Sequence, residues 1–269
     1  PFIFDSFGAG LRGVGVRYND KDAKVVKIFE EEDIMAQLKE IRGWYENGII
    51  NADAPQLAEG PTYKACFLAQ GWSGAAKTAW GPNMGKELVA YQFGPTILSN
   101  DSVLGSVNFI SINSKNPEKA LQWLNLINTD TKVRDAFKYG LEGDNFEYTA
   151  DGRVHRIEGR DWPWPSYVQA SYFNYSITDD VDFNEMDEVK ALNAAAEPSV
   201  LMGFSFDATK VQDQILNCKT IWDNYHPELL TGSVDPETAV KAMYEEMEAE
   251  GLNDIIAEAQ AQIDAFLGK

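Results

Sequence analysis

An α/β fold with a helix-rich C-terminus is predicted by three features of the chain. Short alternating apolar runs, such as Val14, Val16 and Tyr18, are separated by segments of helical period. That interleaving marks α/β layering, with room for antiparallel pairing. The later part changes character: Val211, Ile215, Cys218 and Trp222, and then Val240, Met243, Tyr244 and Met247, recur at helical spacing. Finally, 269 residues of which 44 % are hydrophobic and 24 % charged is globular usage, long enough for one large or two modest cores.

Residues 13–29 read as a hairpin or two short strands, in which Asn19-Asp20-Lys21-Asp22 makes a polar turn and Val25, Val26, Ile28 and Phe29 resume the apolar run. From Glu31 the period is helical. Ile34, Leu38, Ile41 and Tyr45 share one stripe, acidic residues occupy the first turn where the helix dipole favours them, and Gly48 caps a helix that stops near Asn47. Residues 49–62, with Pro55, Gly60 and Pro61, form a loop. Ala65, Phe67 and Ala69 predict a short strand ending at Gly71, and further extended segments are predicted over 88–93 and 103–112. Asn116 as cap and Pro117 in the first turn start a helix whose Ala120, Leu121, Leu124 and Ile127 form a buried stripe. Val133 to Tyr139 makes a shorter helix closed by Gly140, and residues 146–157 a hairpin around Asp151-Gly152. The acidic stretch 179–188 leads into a helix through Ala194, after which Phe204, Phe206 and Asp207 introduce the longer helix of Val211 and Ile215. Asp235-Pro236-Glu237 starts the next helix and Gly251 ends it, while Ile255, Ile256, Ala259, Ile263 and Phe266 line the last.

Acidic residues outnumber basic ones 42 to 23, a formal net charge of −19. A surface this negative repels nucleic-acid phosphates and anionic lipid, and no run approaches the roughly 18 apolar residues of a membrane span. The folded part is expected to be soluble, with no nucleic-acid partner. The chain opens on Pro1-Phe2-Ile3-Phe4-Asp5, without Met or a leader, so something upstream is expected to be missing. Cys66 and Cys218 allow one long-range bridge or two buried thiols, and free, core-facing thiols are the reading taken. No phosphate loop, dinucleotide fingerprint, zinc helix or nucleophile elbow occurs. The carboxylates Glu30, Glu31, Glu32, Asp179, Asp180, Asp182, Glu185 and Asp187 would serve a glycosidase only as a facing pair about 5 or 6.5–9.5 Å apart. Asp179-Asp180-x-Asp182 lacks the glycine and glutamate spacing of a calcium loop and reads as a solvated helix entry. His155, beside Arg153 and Arg156, reads as a surface hairpin residue. No catalytic residue, metal or cofactor is expected.

The positive feature is a set of aromatics in unusual backbone contexts. Trp72 and Trp80 stand beside glycines, and Trp162 and Trp164 between prolines in the most aromatic segment, residues 160–175. Flat rings with polar neighbours suit stacking on the C–H faces of sugars. Trp44, Trp123 and Trp222, on helix stripes, read instead as core.

Four pieces then occur in a telling order: Trp44-Tyr45-Glu46-Asn47-Gly48-Ile49-Ile50-Asn51; Ala69-Gln70-Gly71-Trp72; Gly105 to Ile112 followed by Ser114-Lys115-Asn116-Pro117-Glu118-Lys119-Ala120; and Leu230-Thr231-Gly232-Ser233-Val234-Asp235-Pro236. With them the chain resembles the later part of an extracellular solute-binding protein of family 1, the maltose-binding-protein-like receptors that feed ABC importers. The resemblance implies a periplasmic-binding-protein-like type II α/β fold, mainly its C-terminal lobe. Residues 1–93 would be C-terminal-lobe part, 94–130 a crossing segment with an N-terminal-lobe portion, and 131–269 returning segments and the helical C-terminal-lobe part. It also implies a monomeric, non-enzymatic receptor outside the cell, at the bacterial surface or in the periplasm, with a lipid-anchored parent. Such a receptor captures a carbohydrate or other polar solute by reversible cleft closure and passes it to permease subunits of the ABC transporter. Together with the aromatic contexts, this marks Trp72, Trp80, Asn108, Asp161, Trp162, Trp164, Tyr167 and Gln169 as ligand-binding residues, rings stacking and Asn108, Asp161 and Gln169 orienting. With most of the amino-terminal lobe missing, much of the cleft is expected to be lost. The alternatives are a secreted carbohydrate-active enzyme or accessory domain using the same aromatics, and a cell-surface protein-interaction module.

Overall fold

The computed structural model describes residues 3–7, 12–58, 64–105, 107–160, 162 and 169–269. Strands β1 (Phe4–Asp5), β2 (Val14–Arg17) and β3 (Val26–Lys27) form an antiparallel sheet in that order, with Phe4 opposite Arg17 and Val14 opposite Lys27. β3 is shorter than its apolar run because Ile28 and Phe29 leave the ladder in a 3-10 turn, Ile28–Glu30, that buries both side chains. Helix α1 (Glu32–Glu46) follows with Glu32 and Asp33 in its first turn, buries Ile34 and Leu38, and ends at Asn47 as expected. Residues 65–71 and 88–93 form no strand, since no described strand pairs with them and an extended run without a ladder partner is not stable alone. A π-helical turn, Ala76–Trp80, runs into the short α2 (Gly81–Met84).

β4 (Ile97–Leu98) was not anticipated, and the strand expected over 103–112 is absent: Val103 and Leu104 belong to α3 (Asn100–Leu104), and 107–112 is irregular. The physical reason is capping. Ser99 N–H donates to Ser102 Oγ at 2.8 Å and Ser102 N–H to Ser99 Oγ at 3.3 Å, which starts a helical turn where the apolar run alone reads as extended. Next come α4 (Pro117–Thr129), α5 (Thr131–Tyr139) closed by Gly140, and the expected hairpin of β5 (Phe146–Tyr148) and β6 (Val154–Arg156). The chain continues through α6 (Glu185–Ala194), β7 (Glu197–Pro198), α7 (Gln212–Thr231), α8 (Pro236–Ala249) and α9 (Leu252–Leu267). β7 pairs in parallel with β4.

The chain divides into two compact units, one of Pro1–Cys66, Ile97–Leu104 and Glu197–Lys269, the other of Phe67–Thr96 and Gly105–Ala196. In the first, α1, α7, α8 and α9 bury Met243, Met247, Leu252, Ile255 and Ile263 together with Val14 and Val16 of β2. α8 begins as its sequence requires, Asp235 accepting the Thr238 N–H at 2.9 Å and Pro236 filling the first turn. Gly232, at φ +76°, closes α7 where a Cβ would stand 2.6 Å from the Ile41 carbonyl oxygen, so only glycine lets α7 end against α1. Arg42 donates to the carbonyls of Gly232 and Ser233 and fixes that junction. Cys218 is buried as expected and burial pushes its thiol up to about 11, whereas Cys66, also free, is exposed because it lies in an irregular stretch outside the core.

Tyr244 places a polar group inside this core. Its hydroxyl accepts the Phe29 N–H at 3.2 Å and donates to the Gly13 carbonyl at 2.5 Å. Tyr244→Phe would leave the Phe29 N–H without a partner away from water, while the Gly13 carbonyl keeps the Ile28 N–H at 2.8 Å, and a loss of about 1–3 kcal/mol is expected from urea unfolding. An unchanged midpoint would show that water reaches the Phe29 N–H.

The second unit has a small core of Tyr139, Phe146, Val154, Tyr175 and Met186. α4 departs from expectation: of its predicted stripe only Ile127 is buried, and Leu121 is 61 % exposed. The stripe is amphipathic, but Ala120 and Leu124 are only half-buried, bordering a hollow beside Phe109 and Ile110. Trp123 on the same helix is 46 % exposed, and Trp44 on α1 43 %, against the expectation that both fill cores. Trp222 does pack, stacked on Phe29 with ring centroids 5.0 Å apart.

Candidate ligand site

Residues 71–80 owe their path to two glycines. A Cβ at Gly71 would stand 2.8 Å from the Trp80 ring, and one at Gly74 would stand 2.8 Å from Glu188 Oε2 and 2.9 Å from the Phe183 ring. The close approach lets one carboxylate of α6 collect this backbone: Glu188 accepts the N–H of Ser73 at 2.9 Å and of Gly74 at 3.0 Å, and also the Ser73 hydroxyl. One turn earlier, Glu185 accepts three side-chain donors, Trp72 Nε1–H at 3.1 Å and Thr78 Oγ1–H at 2.7 Å on one oxygen and Tyr175 O–H at 2.8 Å on the other. The Trp72 ring meets Tyr172 edge-on at 5.1 Å, and Tyr172 meets Tyr175 at 5.5 Å.

Glu185, in the sequence only one among many carboxylates, is buried, because residues 72, 78 and 175 close over it. Burial alone would raise its carboxyl. The hydrogen bonds from Thr78, Tyr175 and Trp72, with the Lys138 ammonium, nevertheless hold it below the usual carboxylate range. Lys138 lies over the Tyr175 ring with Nζ 3.2 Å from the centroid, and burial pushes its ammonium down to about 7 against the opposing charge of Glu185. Burial likewise pushes the Tyr172 and Tyr175 phenols up.

The other expected ligand residues fall elsewhere in the same unit. Trp80 ends the π-helical turn half-buried, edge-on to Phe67 at 5.6 Å. Gln169 Nε2 donates to Asn108 Oδ1 at 2.9 Å, so the two amides proposed to orient a ligand satisfy each other. Trp162 is 50 % exposed and its Nε1–H donates to the Phe137 carbonyl at 3.1 Å. With Trp123, Val133, Ala136 and Phe137 it lines an apolar groove of about 260 Å³, and Trp123 also borders a larger hollow of about 420 Å³ beside Phe109 and Ile110. Asp161, Trp164 and Tyr167 lie outside the described residues. Trp123, Tyr172 and Thr78 were not anticipated. Only Tyr172 carried a signal, its place in the aromatic segment.

Asp179 and Asp180 form surface pairs. His155 Nδ1 lies 2.8 Å from Asp179 and Arg156 donates to Asp180 at 2.8 Å, both on the exposed side of the β5–β6 hairpin. Among the described residues no group of three or more His, Cys, Asp and Glu could hold a metal, and no helix is long and apolar enough to cross a membrane.

A family model described as a domain of unknown function, DUF3502, matches residues 200–268. A carbohydrate ABC transporter substrate-binding protein of Streptococcus pneumoniae is 27 % identical over 272 residues, which is 91 % of this chain and 52 % of that protein. Among solved structures, the N-glycan transport solute binding protein NgtS of S. pneumoniae, in complex with Man1GlcNAc, superposes with a TM-score of 0.84 at 24 % identity over 99 % of this chain and 62 % of that one. The same protein in complex with Man5GlcNAc gives 0.81 at 24 % identity over 99 % and 61 %. The chain thus spans about half the length of the curated relative it matches. In sequence and in fold alike, it is similar to the solute-binding proteins of transport systems, the resemblance its own motifs imply.

Proposed function

We propose that the protein is the extracellular solute-binding component of an ABC importer and that it captures a carbohydrate. The observation that carries this reading is the 27 % identity, along 91 % of the chain, to a carbohydrate ABC transporter substrate-binding protein. The fold shared with a receptor for N-glycan fragments and the exposed tryptophans of the second unit support it. Rings at Trp72, Trp80, Trp162, Trp164 and Tyr167 stack on the sugar, while Asn108, Asp161 and Gln169 take its hydroxyls. The Asn108–Gln169 bond is exchanged for bonds to ligand, which keeps both amides satisfied in either state. Capture is a non-covalent shift of an open–closed population, with no catalytic step. The full-length protein is a lipid-anchored monomer outside the cell and hands its solute to permease subunits.

The test is a thermal-shift screen of the full-length protein against oligosaccharides, including mannose- and GlcNAc-containing glycans, and against peptides. A ligand at a hundredfold excess over its Kd adds about 2.7 kcal/mol to the native state. Carbohydrates are expected to raise Tm and to be recovered uncleaved. Shifts from peptides alone would exclude the carbohydrate assignment, and cleaved product from the pure protein would favour the enzyme.

A further inference from the structure

Two carboxylates of α6 hold consecutive parts of one short segment, residues 72–74. Glu185 takes the indole N–H of Trp72, and Glu188 takes the backbone N–H groups of Ser73 and Gly74 that follow it. Spaced three residues apart, they lie on one face of the helix, so a single rigid element holds both the ring and the backbone that carries it. The hold is specific. An indole N–H has one direction, and directing it at Glu185 fixes rotation of the ring about its side-chain bonds, while Tyr172 packed edge-on blocks tilt. Thr78 on the same oxygen and Tyr175 on the other keep the Glu185 carboxylate from turning to solvent.

We propose that Glu185 and Glu188 are positioning residues for the Trp72 ring, setting the plane on which a sugar stacks. This rests on the reading of Trp72 as part of a carbohydrate site. Stacking depends on ring orientation and on its being fixed before the ligand arrives, because a ring that must be ordered on binding lowers affinity.

A double-mutant cycle in the full-length protein tests it, with the oligosaccharide that gives the largest thermal shift in the screen above as probe and calorimetry as readout. Glu185→Gln keeps the size of the side chain but replaces one acceptor oxygen with a donor. It is expected to weaken binding about tenfold in the wild-type background, and by less than about twofold in a Trp72→Phe background, where there is no indole N–H to hold. Equal weakening in both backgrounds, or none in either, would overturn the positioning role. If Glu185→Gln fails to fold, Glu188→Gln is compared in wild-type and Trp72→Ala backgrounds, since its bonds go to the Ser73 and Gly74 backbone and not to the indole: weakening in the wild type alone is expected, and equal weakening in both, or none in either, overturns the positioning role. Failure of the underlying reading looks different: Trp72→Ala would then leave sugar affinity unchanged, whatever happens at α6.

Discussion

Replacing Asp135 with Ala is expected to destabilise the second unit by about 3–5 kcal/mol, the cost of breaking a buried, charged hydrogen-bond network from one side. Asp135 has no exposed surface, and neither does its neighbour Arg134. Its two oxygens take the Tyr148 hydroxyl at 2.8 Å and the Ser176 N–H at 2.7 Å, tying α5 to the β5–β6 hairpin and to the segment that carries Tyr175. Burial, reinforced by the hydrogen bond to Asp135, pushes the Tyr148 phenol up, so that hydroxyl stays a donor. Alanine leaves both donors without an acceptor and takes a counter-charge away from the Arg134 guanidinium, which burial already pushes down. Asn keeps one acceptor and is expected to cost about 1–3 kcal/mol. Hydrogen exchange at the Ser176 amide is the direct readout, together with urea unfolding. An Asp135→Ala protein within 1 kcal/mol of wild type would mean that water replaces the carboxylate.

How much of this was legible in the sequence depends on how local each cause is. The C-terminal helices were readable because their signals lie within a few residues: Asp235-Pro236 starts α8, and Val240, Met243, Tyr244 and Met247 are all buried on one face. β4 was not, since Ile97 and Leu98 are a strand only by pairing with Glu197 and Pro198, a partner some hundred residues away. The α4 stripe shows a second limit. Periodicity tells which face of a helix would be buried, and not whether another element stands against it; Leu121 and Trp123 have the right spacing and remain exposed. Among candidate site residues, Trp72 was marked by its glycines and its place in a family-like segment. Its partner Glu185 was hidden among acidic neighbours, because the donors that bury it come from Trp72, Thr78 and Tyr175, brought together only by folding.

Lys138 adds a pH dependence whose sign follows from its position. Burial lowers its ammonium from the ordinary 10.5 to about 7; Arg134 and Arg156 push the same way, and Glu185 and Asp135 oppose. Between those two values the unfolded chain binds a proton that the folded chain has released, so folding becomes more favourable as pH rises through the window and is penalised below it. Other groups act in the opposite sense at higher pH. Cys218, raised by burial from 9.0 to about 11, and the raised phenols of Tyr139, Tyr148, Tyr172 and Tyr175 ionise first in the unfolded chain and erode stability there. The lysine contribution is therefore clearest between about pH 7 and 9. Across that interval wild-type stability is expected to gain on the order of 1 kcal/mol per pH unit relative to Lys138→Met. Methionine removes the titrating group while filling the space over the Tyr175 ring. It forfeits the cation–π contact, worth about 0.5–2 kcal/mol, at every pH where the lysine is charged. Because desolvation of the ammonium outweighs that contact, Lys138→Met is expected to be the more stable protein at pH 6 and to lose its advantage by pH 9. Urea unfolding of both proteins at half-unit steps from pH 6 to 9 gives the two curves, and parallel curves would mean that the ammonium is solvated in the folded chain.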